Sequence, residues 1–353
     1  MTPIKRGAAA LRALITIASA LAACVAASCT VKSVPGIVTA MPLPSGAIIR
    51  ASSLGQDGRL WFTYMGDGGD PGIGSIRTAG DGSTIELAPM AYGYAVDDIA
   101  VTPSGMAWLA LACNPESSPC GNSGYTRFPV AKPTTLKIHR LGRGRGIPDG
   151  VWLDYDGSAW ISDKRGNDVT HVRLDGRQTM YPLPDPHFSP YGLVGTKRAI
   201  YVVGDEKGKI CVLSRTGATH WVAMPDPTSA LSNLAAGPDG SVWVAEYDAN
   251  KIVSVGADDS VRTYVVPTAN SQPDAIAVDS SGVVWFTELD TDRIGQVTAD
   301  HAIRDALLPY TLSSPIFVFP GPSQTLYVIG LQSHWFGLYR TFVVARIPAA
   351  SAF

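Results

Sequence analysis

Short apolar runs alternate with turn clusters along most of the chain, and one kind of run returns at nearly constant spacing. It is marked by an aromatic residue at Trp61, Trp108, Trp160, Tyr201, Trp243, Trp285 and Tyr327, with successive intervals of 47, 52, 41, 42, 42 and 42 residues. Each unit reads alike. A small apolar run is followed by a turn such as Gly237-Pro238-Asp239-Gly240, then by Val242-Trp243-Val244-Ala245, Lys251–Val255 and 261–266. Four short strands repeated at a period near 42 predict an all-β fold, a seven-bladed β-propeller of four-stranded antiparallel blades. Seven equivalent aromatics in second strands are expected to fill the gaps between neighbouring blades. Residues 37–41 are placed to supply a closing strand to the last blade.

Composition agrees with turn-rich β structure: Gly and Pro total 36 + 26 = 62 of 353 residues, and only 16% are charged. A net charge of −2 with no basic face or base-stacking motif gives no footing for nucleic acid. The first residues are a separate object. Lys5, Arg6 and Arg12 precede the apolar run 13–23, the pattern of an export signal, and no later run reaches the roughly 18 apolar residues of a membrane helix. Leu21-Ala22-Ala23-Cys24 resembles the bacterial lipobox, which makes Cys24 the expected lipidation site. Cys29, after Ala26-Ala27-Ser28, is a weaker version of the same pattern, and an ordinary signal-peptidase cut nearby is the other alternative. The expected layout is a lipoprotein-type signal peptide over 1–23, a tether over 24–44 and the propeller over 45–353. That predicts a monomeric, periplasmic or outer-membrane-anchored bacterial lipoprotein that meets the membrane only through its lipid. Cys113 and Cys120 flank a polar loop and are expected to form a disulfide in an exported protein. Cys211 reads as a buried free thiol.

In an antiparallel meander the start of the first strand and the end of the second lie on one face, here termed the top. The first set of positions is Arg50, Asp97, Asp149, Tyr191, Ser232, Asp274 and Ile316. The second is Tyr64, Leu111, Asp163, Gly204, Glu246, Glu288 and Gly330. Six of these fourteen are acidic, against 30 Asp and Glu in 353 residues. Carboxylates converging on a narrow mouth either hold a cation or acquire raised pKa values, although Asp in a repeated turn also caps loop amides. Glu288, Glu246 and Asp274 are the candidate metal ligands. Asp97, Asp149, Asp163, Tyr191, Glu246 and Arg143 are the candidate ligand-binding residues, Arg143 lying with Arg140 and Arg145 just before Asp149. His187 and His334 are the histidines expected on top-face loops. The stretch from Leu111 to about Thr135 lacks strand patterning and is expected to be a loop over the mouth.

Zinc-protease, paired-cysteine, nucleophile-elbow and phosphate-loop motifs are absent. The segments Trp285-Phe286-Thr287-Glu288 with 292–297, 239–246 with Asn250-Lys251-Ile252, and Trp61-Phe62-Thr63-Tyr64 resemble the repeat of the streptogramin B lyase family over about residues 45–345. That resemblance implies a seven-bladed propeller and magnesium-dependent elimination at the ester of a cyclic depsipeptide. It also implies a Glu-x-His pair entering an inner strand and a Glu ending the next. Here Gln272-Pro273-Asp274 stands in the place of the pair, and Glu288 retains the last carboxylate. Two functions follow as expectations. One is binding of a small-molecule or peptide ligand at the acidic top face without catalysis. The other is a lyase or lactonase-like enzyme using magnesium, with Glu288, Asp274 and His187 as its catalytic candidates.

Overall fold

The computed structural model describes residues 38–42, 48–55, 59–65, 71–77, 85–89, 94–113, 123–130, 137–142, 146–308, 312–321, 324–334 and 339–348. Within them the strands form seven four-stranded antiparallel sheets, each a simple meander from inner to outer strand. The inner strands touch one another in sequence and the last touches the first, closing the seven-bladed β-propeller that the aromatic period predicts. Blade 3 is representative, with Pro148–Leu153 innermost, then Ala159–Asp163, Asp168–Val172 and Gln178–Pro182. Blade 7 comprises Ser313–Gly321, Thr325–His334 and Tyr339–Pro348. It is completed from the other end of the chain, since Val38–Pro42 pairs antiparallel with its third strand through Val38↔Arg346 and Pro42↔Val343. This is the closing strand expected from 37–41.

Burial explains the apolar pattern. Second strands such as Ala159–Asp163 and Val242–Glu246 are buried throughout, whereas the outermost Gln178–Pro182 is mostly exposed. A strand covered on both faces reads as a continuous apolar run. All seven marker aromatics are buried, none more than 7% exposed. Each packs into the following blade: Trp160 meets Ile200 and Val202 of blade 4, Trp243 meets Ile276 and Phe286 of blade 6, and Tyr327 meets Leu60 and Phe62 of blade 1. The repeat is therefore the joint between blades, and Tyr327 seals the ring.

Polar groups fix the same joints. The hydroxyls two residues after the aromatic accept from the inner strand of their own blade: Ala51 N donates to Thr63 Oγ1 at 3.1 Å, Gly150 N to Ser162 Oγ at 2.8 Å and Ala275 N to Thr287 Oγ1 at 3.0 Å. Ser162 Oγ then donates to the Tyr191 carbonyl of blade 4 at 3.0 Å. Asn167 and Asn250 adopt left-handed backbone, φ 52° and 57°, which Asn tolerates better than most side chains. The amide side chains reach the loop leading into the next blade, accepting from Ser189 N and Ser271 N at 3.0 and 2.8 Å.

Two expectations need correction. The stretch after Leu111 is not a continuous loop: the second strand of blade 2 runs to Cys113, and Gly124–Pro129 is its third strand. Glycine and proline at its two ends and the polar Thr126 and Arg127 within it had hidden a strand that is mostly buried. His334 ends the strand Thr325–His334 instead of lying in a loop. Cys211 is a buried free thiol in the strand Lys209–Ser214, and burial pushes its pKa up to about 12. Among the described residues no helix is long and apolar enough to cross a membrane. Cys24, Cys29, Cys120 and Arg143 lie outside the described residues, so the lipidation site, the Cys113–Cys120 pair and the Arg143 contact do too.

Candidate functional site

The inner strands enclose a central channel of about 550 Å³. In every blade the pairing of first and second strands slips just below the top. The slips fall between Ile49 and Ala51, Val96 and Asp98, Pro148 and Val151, Pro190 and Gly192, Leu231 and Leu234, Pro273 and Ile276, and Ser313 and Phe317. A bulge of this kind leaves a residue out of the ladder and re-aims its side chain. All seven first-strand positions singled out from the sequence fall inside these bulges. Arg50, Asp97, Asp149, Tyr191 and Ser232 line the channel, as do Asp98 and Asn233 beside them.

Charge is concentrated on the side of blades 1 to 4. Asp98 Oδ1 accepts from Ile99 N and its Oδ2 from Val151 N of blade 3, both at 2.7 Å, so one carboxylate ties two blades. Desolvation within the channel wall pushes its pKa up to about 7 despite those two donors, and Asp149 and Asp97 push the same way. Asp149 is also pushed up to about 7, first by desolvation and then by Asp97 and Asp205, against the pull of Lys164 and Arg50. Desolvation raises Asp97 as well, opposed by Arg50 and Lys164. Like charges in so small a space cannot all ionise near neutral pH, so the three carboxyls titrate as a group. Lys164 Nζ donates to Asp205 Oδ1 at 2.9 Å and lies 5.8 Å from the centre of the Tyr191 ring. The Tyr191 phenol donates to the Leu231 carbonyl, and desolvation with Asp205, Asp149 and Asp274 nearby raises its pKa.

The acidic ends of the second strands lie elsewhere. Asp163 Oδ1 accepts from Ile147 N at 2.9 Å and Gly166 N at 2.7 Å, holding the loop that leads into its blade. Glu246 and Glu288 are wholly buried at the equivalent places in blades 5 and 6. Burial raises Glu246, with Asp226 N and Lys251 opposing. Burial and then Asp305 push Glu288 up to about 7, against Ser271, Thr291 and Arg293. Gly204 shows what this position does, because a Cβ there would lie 2.1 Å from the Phe188 carbonyl of the incoming loop. The row Asp163, Glu246 and Glu288 thus sits under connecting loops and does not line the channel.

Asp274 occupies the bulge of blade 6, where desolvation raises its carboxyl and Ser232 opposes. Ser232 Oγ also donates to the Asp274 carbonyl at 2.8 Å. Gln272, with left-handed backbone, accepts from the Tyr247 phenol at 2.5 Å. His187 is exposed on the loop before blade 4, its backbone N donating to Asp185 Oδ1 at 3.0 Å, and it does not line the channel. Among the described residues no three His, Cys, Asp or Glu side chains are grouped so as to hold a metal ion. Glu246, Asp274 and Glu288 as placed do not fit a magnesium site. Sequence reasoning missed Asp98, Lys164 and Asp205. The available signals were adjacency alone: Asp98 follows Asp97, Lys164 follows Asp163, and Asp205 follows Gly204.

Residues 188–341, from the loop before blade 4 into blade 7, match the Virginiamycin B lyase family. Over the whole ring the chain is similar to a solved streptogramin B lyase, at 20% identity and TM-score 0.70, covering 88% of this chain and 97% of that one. A catalytically inactive variant of virginiamycin B lyase from Staphylococcus aureus with quinupristin is similar at 19% identity and TM-score 0.71, covering 87% and 98%. YCF48 bound to D1 peptide is similar at 14% identity and TM-score 0.65, covering 90% and 96%. No curated protein sequence matches at a significant level. Identities this low establish the fold and leave the chemistry to be argued from the residues. The chain is thus a seven-bladed β-propeller similar in fold to the solved streptogramin B lyases, with residues 188–341 matching the Virginiamycin B lyase family.

Proposed function

We propose that this is an exported, lipid-anchored propeller that binds a small molecule or peptide carrying a positive group at the top mouth of its channel. The observation that carries the reading is the convergence of Asp97, Asp98 and Asp149 on one side of a cavity of about 550 Å³. An ammonium between them relieves their mutual repulsion and lets them ionise together, in surroundings where Coulomb attraction exceeds its value in water. Tyr191 supplies an aromatic wall. Arg50 and Lys164 on the same rim suit a carbonyl or carboxylate of the same ligand. The structural neighbours holding quinupristin and D1 peptide support a peptide-like ligand. The basic and apolar first segment supports export, with lipidation at Cys24 and a Cys113–Cys120 disulfide as parts of the same proposal.

Elimination at an ester is the second reading, favoured by the fold shared with two lyase structures. Asp274, Glu288 and His187 are its candidate groups, but His187 stands outside the channel and Glu246, Asp274 and Glu288 form no magnesium site, so this reading needs an ion held elsewhere. Mass spectrometry of quinupristin incubated with the chain, with magnesium and with chelator, separates the two. The substrate is expected to keep its chromatographic retention and fragmentation pattern, which is the informative readout because elimination leaves the mass unchanged. A ring-opened isomer formed only with magnesium would establish the lyase instead.

Binding should depend on pH in a defined direction. Asp98 and Asp149 lose protons around pH 7, so the site gains negative charge as pH rises. Affinity for a cationic ligand is expected to increase about tenfold from pH 6 to pH 8. Calorimetric titrations at both pH values check this, and Asp149→Asn should flatten the dependence.

A further inference from the structure

We propose that the bottom turns of blades 3 and 4 rest on an anionic phospholipid bilayer, leaving the channel mouth facing away from the membrane. The inference depends on the lipid-anchored reading above. Strand direction supplies the first observation. The closing strand Val38–Pro42 pairs Val38 with Arg346 near the end of the third strand of blade 7, which runs from top to bottom. The chain therefore enters the ring at its bottom rim. Cys24 lies 38 − 24 = 14 residues earlier, a contour of at most about 50 Å. A lipid on Cys24 is thus connected to the bottom face.

The surface of that face supplies the second observation. Tyr155, 71% exposed, and Leu174, 52% exposed, lie on the two bottom turns of blade 3. Arg173 and Lys197 are exposed on bottom turns of blades 3 and 4. Two of the three neighbouring acids are paired with cations, Asp154 with Arg215 and Asp175 with Arg177, while Asp156 accepts from Ser158. The opposite half differs, since Asp239, Asp258, Asp279 and Asp300 stand in the bottom turns of blades 5 and 6. Among the described residues the blade 3 and 4 side of the bottom face is thus more basic than the blade 5 and 6 side, and it suits lipid phosphates. A tyrosine and a leucine together with basic side chains suit the interfacial layer of a bilayer.

The test uses the full chain on vesicles of phosphatidylcholine with or without phosphatidylglycerol. A polarity-sensitive dye is attached at Leu174→Cys, or at Arg165→Cys on the top turn of the same blade, and compared with the similarly treated parent chain. Flotation measures attachment. The expected result is a blue shift and loss of most emission to a lipid-borne quencher at position 174 and neither at 165. Both effects should be larger with phosphatidylglycerol and reduced by Arg173→Glu with Lys197→Glu. A chain that floats with position 174 silent, or with 165 quenched instead, overturns this inference alone. A chain that does not float overturns it together with the anchoring reading.

Discussion

Asp98→Ala is expected to lower the stability of the ring by about 3 kcal/mol, because it removes the carboxylate that accepts from both the Ile99 and the Val151 amides. Ile99 and Val151 are 2% and 7% exposed, so water cannot readily replace the carboxylate. A buried amide left without a partner costs roughly 1–3 kcal/mol, and two are orphaned. Relief of repulsion from Asp97 and Asp149 offsets part of this and sets the sum near the middle of the range. Asp98→Asn retains one acceptor and removes the charge, so it should cost well under half as much. Urea unfolding at pH 7 measures both. A loss below about 1 kcal/mol for alanine would mean that blades 2 and 3 are not tied through this residue.

Glu288→Gln is expected to stabilise the chain by about 2 kcal/mol at pH 8 and to change little at pH 5. The side chain is wholly buried, and its pKa is pushed from an ordinary 4.5 up to about 7. Between those values the folded chain holds a proton that the unfolded chain has released. Stability therefore falls as pH rises from about 4.5 to 7 and remains lower above that. Such a displacement corresponds to at most about 3 kcal/mol, which relaxation around an ionised carboxylate reduces. Glutamine keeps the shape and cannot ionise, so the variant escapes the loss. Thermal melts of both proteins from pH 5 to pH 8 should diverge with rising pH. Parallel curves would show that Glu288 does not carry a buried charge above neutrality.

The ring was legible because its joints are made of one residue type at one spacing. Trp160, Trp243 and Tyr327 fill equivalent gaps, and no other element competes for that period. The first-strand rim was legible for a related reason: Arg50, Asp97, Asp149 and Tyr191 hold the same place in each repeat, and the bulge there turns that place to the channel. Asp163, Glu246 and Glu288 show the limit. Their spacing puts them at the top of the second strands, but spacing does not reveal which side a strand end faces. Packing decides it, and Gly204 shows a loop backbone filling the same gap. Asp98 was hidden by the bulge itself, since strict alternation would place Asp97 and Asp98 on opposite faces. The Lys164–Asp205 pair joins two blades whose residues stand 41 apart, with no common motif to announce the contact.

Binding of short peptides with a free N-terminal ammonium, against their N-acetylated counterparts, most directly tests whether the mouth between Asp97 and Asp149 is the ligand site. Calorimetry at pH 8 on the wild-type chain and on Asp97→Asn with Asp149→Asn gives the comparison. The account predicts that the free peptides bind at least about tenfold more tightly than the acetylated ones, a difference near 1.4 kcal/mol, and that the double variant loses this preference. Equal binding of the two peptide forms, no binding of either, or a preference that survives in the double variant would contradict it.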